Sequence, residues 1–186
     1  MSAAVLNRRE FVIGTTATGV GLSVGMALPL SAKAAQGTPE VNAWVVIDPD
    51  DTVTIRIART EMGQGTATGL AQLVAEELGC DWHRVTWEYP TPGDNLKRDR
   101  VWGSFSTGGS RGIRSSHQYV REGGATARLL LTEAAANAMG VPASECVAEN
   151  SRVTHAASGR SKRFGEVATA AAKLPPPLDV TLMTPD

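Results

Sequence analysis

The sequence predicts an α+β fold, in which a small mixed or antiparallel sheet packs on two main helices, as an incomplete part of a domain. Short runs rich in β-branched residues alternate with two segments of helical apolar spacing, at residues 66–78 and 115–139. The chain has 186 residues, of which 42% are hydrophobic and 20% charged, and this composition suits one globular domain. Residues 178–186 form an extended end that no closing element follows, so we expect a truncated domain.

The predicted domain, residues 43–177, begins with a hairpin. Residues 53–58 alternate between apolar and polar side chains, and an Asp/Pro turn at residues 48–51 separates them from an earlier apolar run. Gly79 ends the helix that follows. The predicted elements of this half are strands at 44–47 and 53–58, a helix at 66–78, a strand at 82–89 and a loop at 90–100.

The second half is predicted to contain a long Ala-rich helix and then a shorter β and α segment. Gly140 and Pro142 stop the long helix. The remaining predicted elements are a hairpin around Val147 and Val153, a short helix at 164–173 and an extended stretch at the three prolines of 175–177. Residues 35–42, which are polar and include a proline, are predicted to be a linker.

The first 34 residues have the composition of an export signal. Arg8 and Arg9 precede a Gly-containing apolar run, which ends at an Ala-x-Ala sequence. The paired arginines, followed by Glu10 and Phe11, resemble a twin-arginine motif. The apolar run at 12–30 is also just long enough for a membrane anchor, which is the alternative. We expect twin-arginine export to the periplasm, with association with the inner membrane left open.

Charge and cysteine content argue against several classes of protein. The net charge is −1, and the first 34 residues carry three basic side chains and one acidic, so the rest carries −3. An acidic body argues against nucleic-acid binding. Cys80 and Cys146 are too few for an iron–sulfur cluster of their own; we interpret them as buried small side chains, with a disulfide as the alternative. His83, His117 and His155 lack the spacing of metal ligands.

The first candidate motif is a turn between a strand and a helix, Glu61-Met62-Gly63-Gln64-Gly65. Two glycines in three residues let the backbone turn sharply and approach a ligand closely. The following helix would direct free N–H groups and its positive dipole end towards that ligand. Gln64 would present a neutral donor and acceptor. The alternative is a tight turn without a ligand.

The second candidate motif is Gly-rich and precedes the long helix. Its hydroxyl, glycine and arginine residues are typical of an anion site, and Arg111 and Arg114 could each contact a phosphate oxygen. The alternative is a solvated helix cap. The segment lacks the P-loop pattern and the glycine spacing of a Rossmann fold. The candidate binding residues of this motif are Thr107, Gly108, Gly109, Ser110 and Arg111.

The two motifs, in this order and behind a twin-arginine signal, resemble one family. Together with the runs at 44–49 and 53–55, the turn at 61–65 and the segment at 107–110 look like the start of the molybdopterin-binding (beta) subunit of isoquinoline 1-oxidoreductase and related aldehyde dehydrogenases. These proteins belong to the xanthine oxidase superfamily. The resemblance covers nearly the whole chain, and implies that the chain corresponds to the N-terminal portion of such a subunit.

The resemblance implies a role for each motif. Gln64 would hydrogen-bond the apical oxo ligand of molybdenum, while Gly63 and Gly65 would bring the backbone close to the metal and the pterin. Residues 107–110 would line the pocket of molybdopterin cytosine dinucleotide, with Arg111 at a phosphate. No side chain of this chain would bind the metal directly. Complete subunits are several times longer, and no residue here matches their catalytic glutamate, so we expect this chain alone to be inactive.

The implied reaction is oxidative hydroxylation of an N-heterocycle or an aldehyde, with water as the source of oxygen. Electrons would pass to a separate [2Fe–2S] small subunit and onward to a cytochrome c, and the remaining part of the molybdopterin subunit would be a further partner. Two alternatives remain at this point. One is an exported, non-catalytic remnant or interaction module that retains the scaffold. The other is an unrelated periplasmic nucleotide-binding protein.

Overall fold

The computed structural model describes residues 39–184, which lie within one compact unit. The predicted export signal at 1–34, residues 35–38 of the predicted linker and residues 185–186 lie outside the described residues. Within the described part of the chain, no helix combines the length and the apolar character that crossing a membrane requires.

The first sheet has three strands in the order β1-β2-β3. β1 (Val45–Ile47) and β2 (Val53–Arg56) form the predicted antiparallel hairpin, and β3 (Val85–Glu88) pairs with β2 in parallel. Val53 and Ile55 of β2 are fully buried, whereas Thr54 and Arg56 are only partly buried, as the alternation predicted. β3 lies at the edge of the sheet, and its last three side chains are exposed.

Two helices cover the buried core. α1 (Thr66–Leu78) ends at Gly79, whose φ of 71° gives the left-handed cap that the sequence predicted. The long helix α4 (His117–Met139) packs along α1. A Cβ on Gly124 would lie 2.6 Å from the Val74 carbonyl oxygen, so only glycine permits the spacing of the two helices at this point. Two short helices lie between them in the chain, α2 (Pro92–Lys97) and α3 (Arg111–Arg114).

A second, antiparallel sheet follows the long helix. Its strands are β4 (Cys146–Glu149), β5 (Arg152–His155) and β6 (Ser161–Arg163), in that order, and helix α5 (Phe164–Ala171) begins directly after β6. Phe164 is fully buried in the core. The turn between β1 and β2 contacts this region, because the Asp51 carboxylate accepts hydrogen bonds from Arg163 at 2.6 Å and from the Gly165 amide at 2.8 Å.

The last described residues are held against α1 and α4 by one buried carboxylate. Glu77 is 1% exposed and accepts from the Arg121 Nε at 2.7 Å and from the Met183 amide at 2.9 Å. Arg121 also donates to the Met183 carbonyl at 2.6 Å, and Arg128 donates to the Thr181 carbonyl at 2.8 Å. We call Glu77, Arg121 and Arg128 the carboxylate clamp. It fixes residues 181–184 through their main chain.

The α+β class and the two main helices are confirmed, and several details of the prediction were wrong. Helix α2 lies within the stretch expected to be a loop at 90–100. The strand expected at 82–89 is shorter, because Trp82–Arg84 form a 3₁₀ turn before β3. Strand β6 was not predicted, since its three residues are all polar. The hairpin at β4 and β5 was predicted. Cys80 and Cys146 are both free thiols, so no disulfide joins them.

Candidate functional site

The first motif forms an exposed turn between the first sheet and α1. Gly63 and Gly65 have φ values of 94° and 76°, a conformation that side chains other than glycine rarely adopt. Gly65 is also the residue that caps α1, in the left-handed conformation. The sequence therefore needs both glycines to turn the chain from the strand into the helix.

The N-terminus of α1 is occupied by a carboxylate of the chain itself. The Glu61 Oε1 atom accepts hydrogen bonds from the amides of Gly63 at 2.7 Å and Gly65 at 3.0 Å, and its Oε2 accepts from the Ala67 amide at 2.9 Å. These amides, that of Ala67 first, hold the pKa of the Glu61 carboxyl below its ordinary value. The sequence predicted free N–H groups at this helix end, and that expectation was wrong for the Ala67 amide.

Gln64, the central residue of the turn, bonds within its own loop. Its Oε1 accepts from the Met62 amide at 2.6 Å, and its Nε2 donates to the Thr60 carbonyl at 2.8 Å and to the Thr66 hydroxyl at 2.9 Å. The residue as a whole is exposed. Both amide hydrogens are thus used within the loop, while Oε1 retains a second lone pair for a ligand.

The second motif lies in an exposed loop that leads into α3. Gly109 and Ser110 have φ values of 67° and 53°, so the chain passes through two successive left-handed residues before the helix. Arg111 donates from Nε to the Gly108 carbonyl at 3.2 Å, and Arg114 donates to the Gly109 carbonyl at 3.5 Å. Each guanidinium thus curls over the loop and retains further N–H donors for a ligand.

The structure brings the two motifs together. The Thr60 amide donates to the Thr107 hydroxyl at 2.9 Å, which joins the residue before the first turn to the start of the second motif. A Cβ on Gly112 would lie 2.8 Å from the Thr66 hydroxyl oxygen, so the first residue of α1 packs directly on α3. The buried Arg59 side chain also reaches the Ser106 carbonyl. Two segments more than forty residues apart therefore form one surface.

Two aromatic side chains at the sheet edge, which were not among the predicted site residues, border the first turn. The Tyr89 hydroxyl accepts from the Glu61 amide at 2.9 Å, and its ring meets that of Trp87 edge-on at a centroid distance of 5.1 Å. Both rings, and Met62 on the turn, are exposed apolar groups. The alternating run at 85–89 was the available indication, since it places Trp87 and Tyr89 on one face.

The combined surface suits a ligand that carries oxyanions. A Cβ placed on Gly63, Gly65 or Gly108 would meet no atom of the described residues within 4 Å, so the backbone there is open to close approach. Hydroxyls and exposed guanidiniums are the donors that phosphate groups require. Among residues 39–184, no group of three or more His, Cys, Asp or Glu side chains could hold a metal ion.

Comparison with known families identifies the chain. The family model described as "Molybdopterin cofactor-binding domain" matches residues 3–184, which is almost the entire length. The chain belongs to this family. The resemblance inferred from the two motifs, to a molybdopterin-binding subunit of the xanthine oxidase superfamily, is thereby confirmed.

The relatives of this molybdopterin-binding chain are much longer proteins. It is 32% identical over 173 residues to a membrane-bound aldehyde dehydrogenase (pyrroloquinoline-quinone) of Gluconacetobacter polyoxogenes, covering 88% of the chain and 21% of that protein. It is 32% identical over 168 residues to the isoquinoline 1-oxidoreductase subunit beta of Brevundimonas diminuta, covering 87% of the chain and 22% of that subunit. The chain thus spans about a fifth of the length of these relatives.

A solved structure supports the fold of the molybdopterin-binding chain. The reconstituted CO dehydrogenase from Oligotropha carboxidovorans aligns with a TM-score of 0.52 at 24% sequence identity. The alignment covers 74% of this chain and 17% of that protein. The likeness shows that this arrangement of helices and small sheets also occurs within a longer chain of known structure.

Proposed function

We propose that this chain forms part of the molybdopterin-binding subunit of a molybdenum hydroxylase, an oxidoreductase that hydroxylates N-heterocycles or aldehydes with oxygen from water. The observation that carries the proposal is the single surface made by the Gly63–Gln64–Gly65 turn and the segment at 107–111, joined by the Thr60–Thr107 hydrogen bond. A scaffold without a ligand has no need to expose two Gly-rich loops side by side.

The chain's own residues would bind and orient the cofactor. Ser110 and Arg111 would donate to phosphate oxygens, and the open backbone at Gly108 would allow the dinucleotide to lie close. Gln64 would rotate out of its bonds to Thr60 and Thr66 and place its amide next to the molybdenum. When bound, molybdopterin cytosine dinucleotide would supply the redox chemistry, which is the cofactor's own. The catalytic base would come from outside this chain.

The proposed assembly includes other polypeptides and an export route. A [2Fe–2S] small subunit would accept the electrons and pass them to a cytochrome c, and the rest of the molybdopterin subunit would complete the pocket. Arg8 and Arg9 would direct the folded, cofactor-loaded protein to the periplasm through the twin-arginine route, with association with the inner membrane as an open alternative. The relative named as subunit beta supports a protein of several subunits, and the relative named as membrane-bound supports the location.

The cofactor content of the purified complex tests the proposal. The chain is tagged, purified from the producing cells with its partners, and assayed for molybdenum by elemental mass spectrometry, for CMP released by acid, and for pyrroloquinoline quinone by chromatography. We expect stoichiometric molybdenum, CMP and a [2Fe–2S] spectrum. Pyrroloquinoline quinone in place of molybdenum would overturn the proposed chemistry. This is the specific competing outcome, because the name of one relative includes pyrroloquinoline quinone.

A matched pair of glutamine variants tests the assigned surface. Gln64→Ala removes the amide proposed to lie beside the cofactor, whereas Gln118→Ala removes an exposed amide on α4 whose partner among the described residues is Glu122. We expect lower molybdenum occupancy or activity for the first variant alone. A folded complex in which neither variant differs from the parent, and which holds no molybdenum, favours the non-catalytic module. One observation supports this alternative: the Glu61 carboxylate already accepts a hydrogen bond from the Ala67 amide at the start of α1.

A further inference from the structure

Arg59, between the first sheet and the first motif, is a buried cation. Arg59 is only 7% exposed, and its side chain extends towards Ser116 at the start of α4. The Nε atom donates to the Ser116 hydroxyl oxygen at 2.9 Å, and Nη1 donates to the Ser106 carbonyl oxygen. Ser116 also accepts from the Tyr119 hydroxyl at 2.7 Å, so this oxygen is fixed in place. Both partners of the guanidinium are neutral.

The other substantially buried arginines are compensated, and Arg59 is not. Arg56 pairs with Glu40 and Glu88, and Arg121 pairs with Glu77. Within the described residues, no carboxylate oxygen lies within 4 Å of the Arg59 guanidinium. The nearby Glu61 directs its carboxylate to the α1 amides instead. A buried positive charge without a negative partner is unfavourable, and an anion bound to it would offset that cost.

The third nitrogen of the Arg59 guanidinium is the atom available to a ligand. Nε and Nη1 are both used, while Nη2 has no hydrogen bond to any described residue. No side-chain polar atom that is buried in this part of the chain lacks a partner, so Nη2 must reach the surface. Arg59 donates to Ser106, and Thr60, which follows Arg59, donates to Thr107, which follows Ser106. Arg59 therefore lies at the junction of the two motifs.

We propose that Arg59 is the anchor of an oxyanion site at the junction of the two motifs, with a phosphate or pyrophosphate group as its ligand. The assignment of that group to the bound dinucleotide rests on the proposed function, whereas the oxyanion site itself rests on Arg59 alone. The exposed guanidiniums of Arg111 and Arg114, curled over the adjacent loop, add positive charge on the same side. A phosphate there would receive a charge-assisted hydrogen bond from Nη2.

Titration of the full 186-residue chain with inorganic phosphate, pyrophosphate and cytidine diphosphate tests this site. The variants are Arg59→Met, which keeps the apolar stem, and Arg59→Lys, which keeps the charge. Arg84→Met is the control, because Arg84 also donates to a backbone carbonyl, that of Asp50, but lies away from the motifs. We expect pyrophosphate affinity to fall about tenfold in Arg59→Met, less in Arg59→Lys and not in the control.

A second measurement avoids dependence on the folding of a core variant. In the unmodified chain, the side-chain Nε–H resonance of Arg59 should shift on addition of pyrophosphate, with the same midpoint as the calorimetric titration. Tighter binding of cytidine diphosphate than of pyrophosphate would identify a nucleotide as the source of the oxyanion, and equal binding would identify free phosphate. The site is refuted when the resonance stays in place at saturating pyrophosphate, or when Arg59→Met binds as the parent does.

Failure of this site and failure of the proposed function give different results. A complex that contains molybdenum, in which Arg59→Met changes neither pyrophosphate affinity nor molybdenum content, overturns the Arg59 site and leaves the proposed function intact. A complex without molybdenum, whose chain still binds pyrophosphate through Arg59, overturns the proposed function and leaves the oxyanion site intact.

Discussion

The carboxylate clamp should contribute a large share of the stability of the described unit, and Glu77→Gln is the substitution that measures it. The change keeps the shape of the side chain and removes the charge that faces Arg121 at 2.6 Å and Arg128 at 3.6 Å. Loss of one partner from a buried ion pair costs about 3–5 kcal/mol. Both arginines retain some exposure, and glutamine can still accept from the Met183 amide, so we expect the lower value, about 3 kcal/mol.

Urea unfolding followed by circular dichroism provides the measurement. Glu76→Gln is the matched control, since this neighbouring glutamate is exposed on the same helix and its loss should change the free energy of unfolding by less than about 0.5 kcal/mol. Limited proteolysis should also cut residues 178–184 faster in Glu77→Gln, because their main-chain contacts weaken. Equal unfolding free energies for the two variants would refute the reasoning that buried charge pairing stabilises this corner.

Three further predictions concern packing, acid stability and thiol reactivity. Gly124→Ala should lower the free energy of unfolding by about 1–3 kcal/mol because its Cβ meets the α1 backbone, whereas Gly69→Ala, which meets only the end of a flexible exposed side chain, should be neutral or stabilising in the same urea assay. The ordinary Glu pKa is 4.5, and the pKa of Glu61 is lower in the folded chain. The ionised Glu61 carboxylate therefore stabilises the fold fully above pH 4.5, and this contribution is lost as the pH falls through the folded pKa. Glu61→Gln should accordingly flatten the acid side of the stability–pH profile, and an unchanged profile would contradict the capping role. Burial raises the pKa of the Cys80 thiol to about 12, so iodoacetamide at about pH 8 should modify the more accessible Cys146 first, as peptide mass spectrometry would show; faster labelling of Cys80 would contradict this.

The elements that sequence reasoning located are those whose ends or faces are set locally. Gly79 and Gly140 take the left-handed conformation that ends α1 and α4, and the alternation of Val53 with Ile55 reflects one buried face. Helix α2 carried a local indication that was not used. Thr91 caps the helix with its hydroxyl and Pro92 is its first residue, a pattern typical of helix starts.

The features that the sequence did not reveal depend on distant partners. The parallel pairing of β3 with β2 is invisible to local patterns, because it depends on how α1 returns the chain to the sheet. Glu61 was placed in the first motif, but nothing in its spacing predicted that its carboxylate would accept a hydrogen bond from the Ala67 amide at the start of α1. Arg59 follows the alternating run at 53–58 and was not among the predicted site residues, because only the fold places it between the two motifs.

The contacts that hold residues 181–184 have a consequence for how the family can vary. Arg121 and Arg128 donate to the carbonyls of Met183 and Thr181, and Glu77 accepts from the amide of Met183, so every one of these contacts ends on the main chain. Such a segment can change its side chains over evolutionary time without losing its place. The three clamp residues cannot drift independently, and a change at one of them should be accompanied by a change at another.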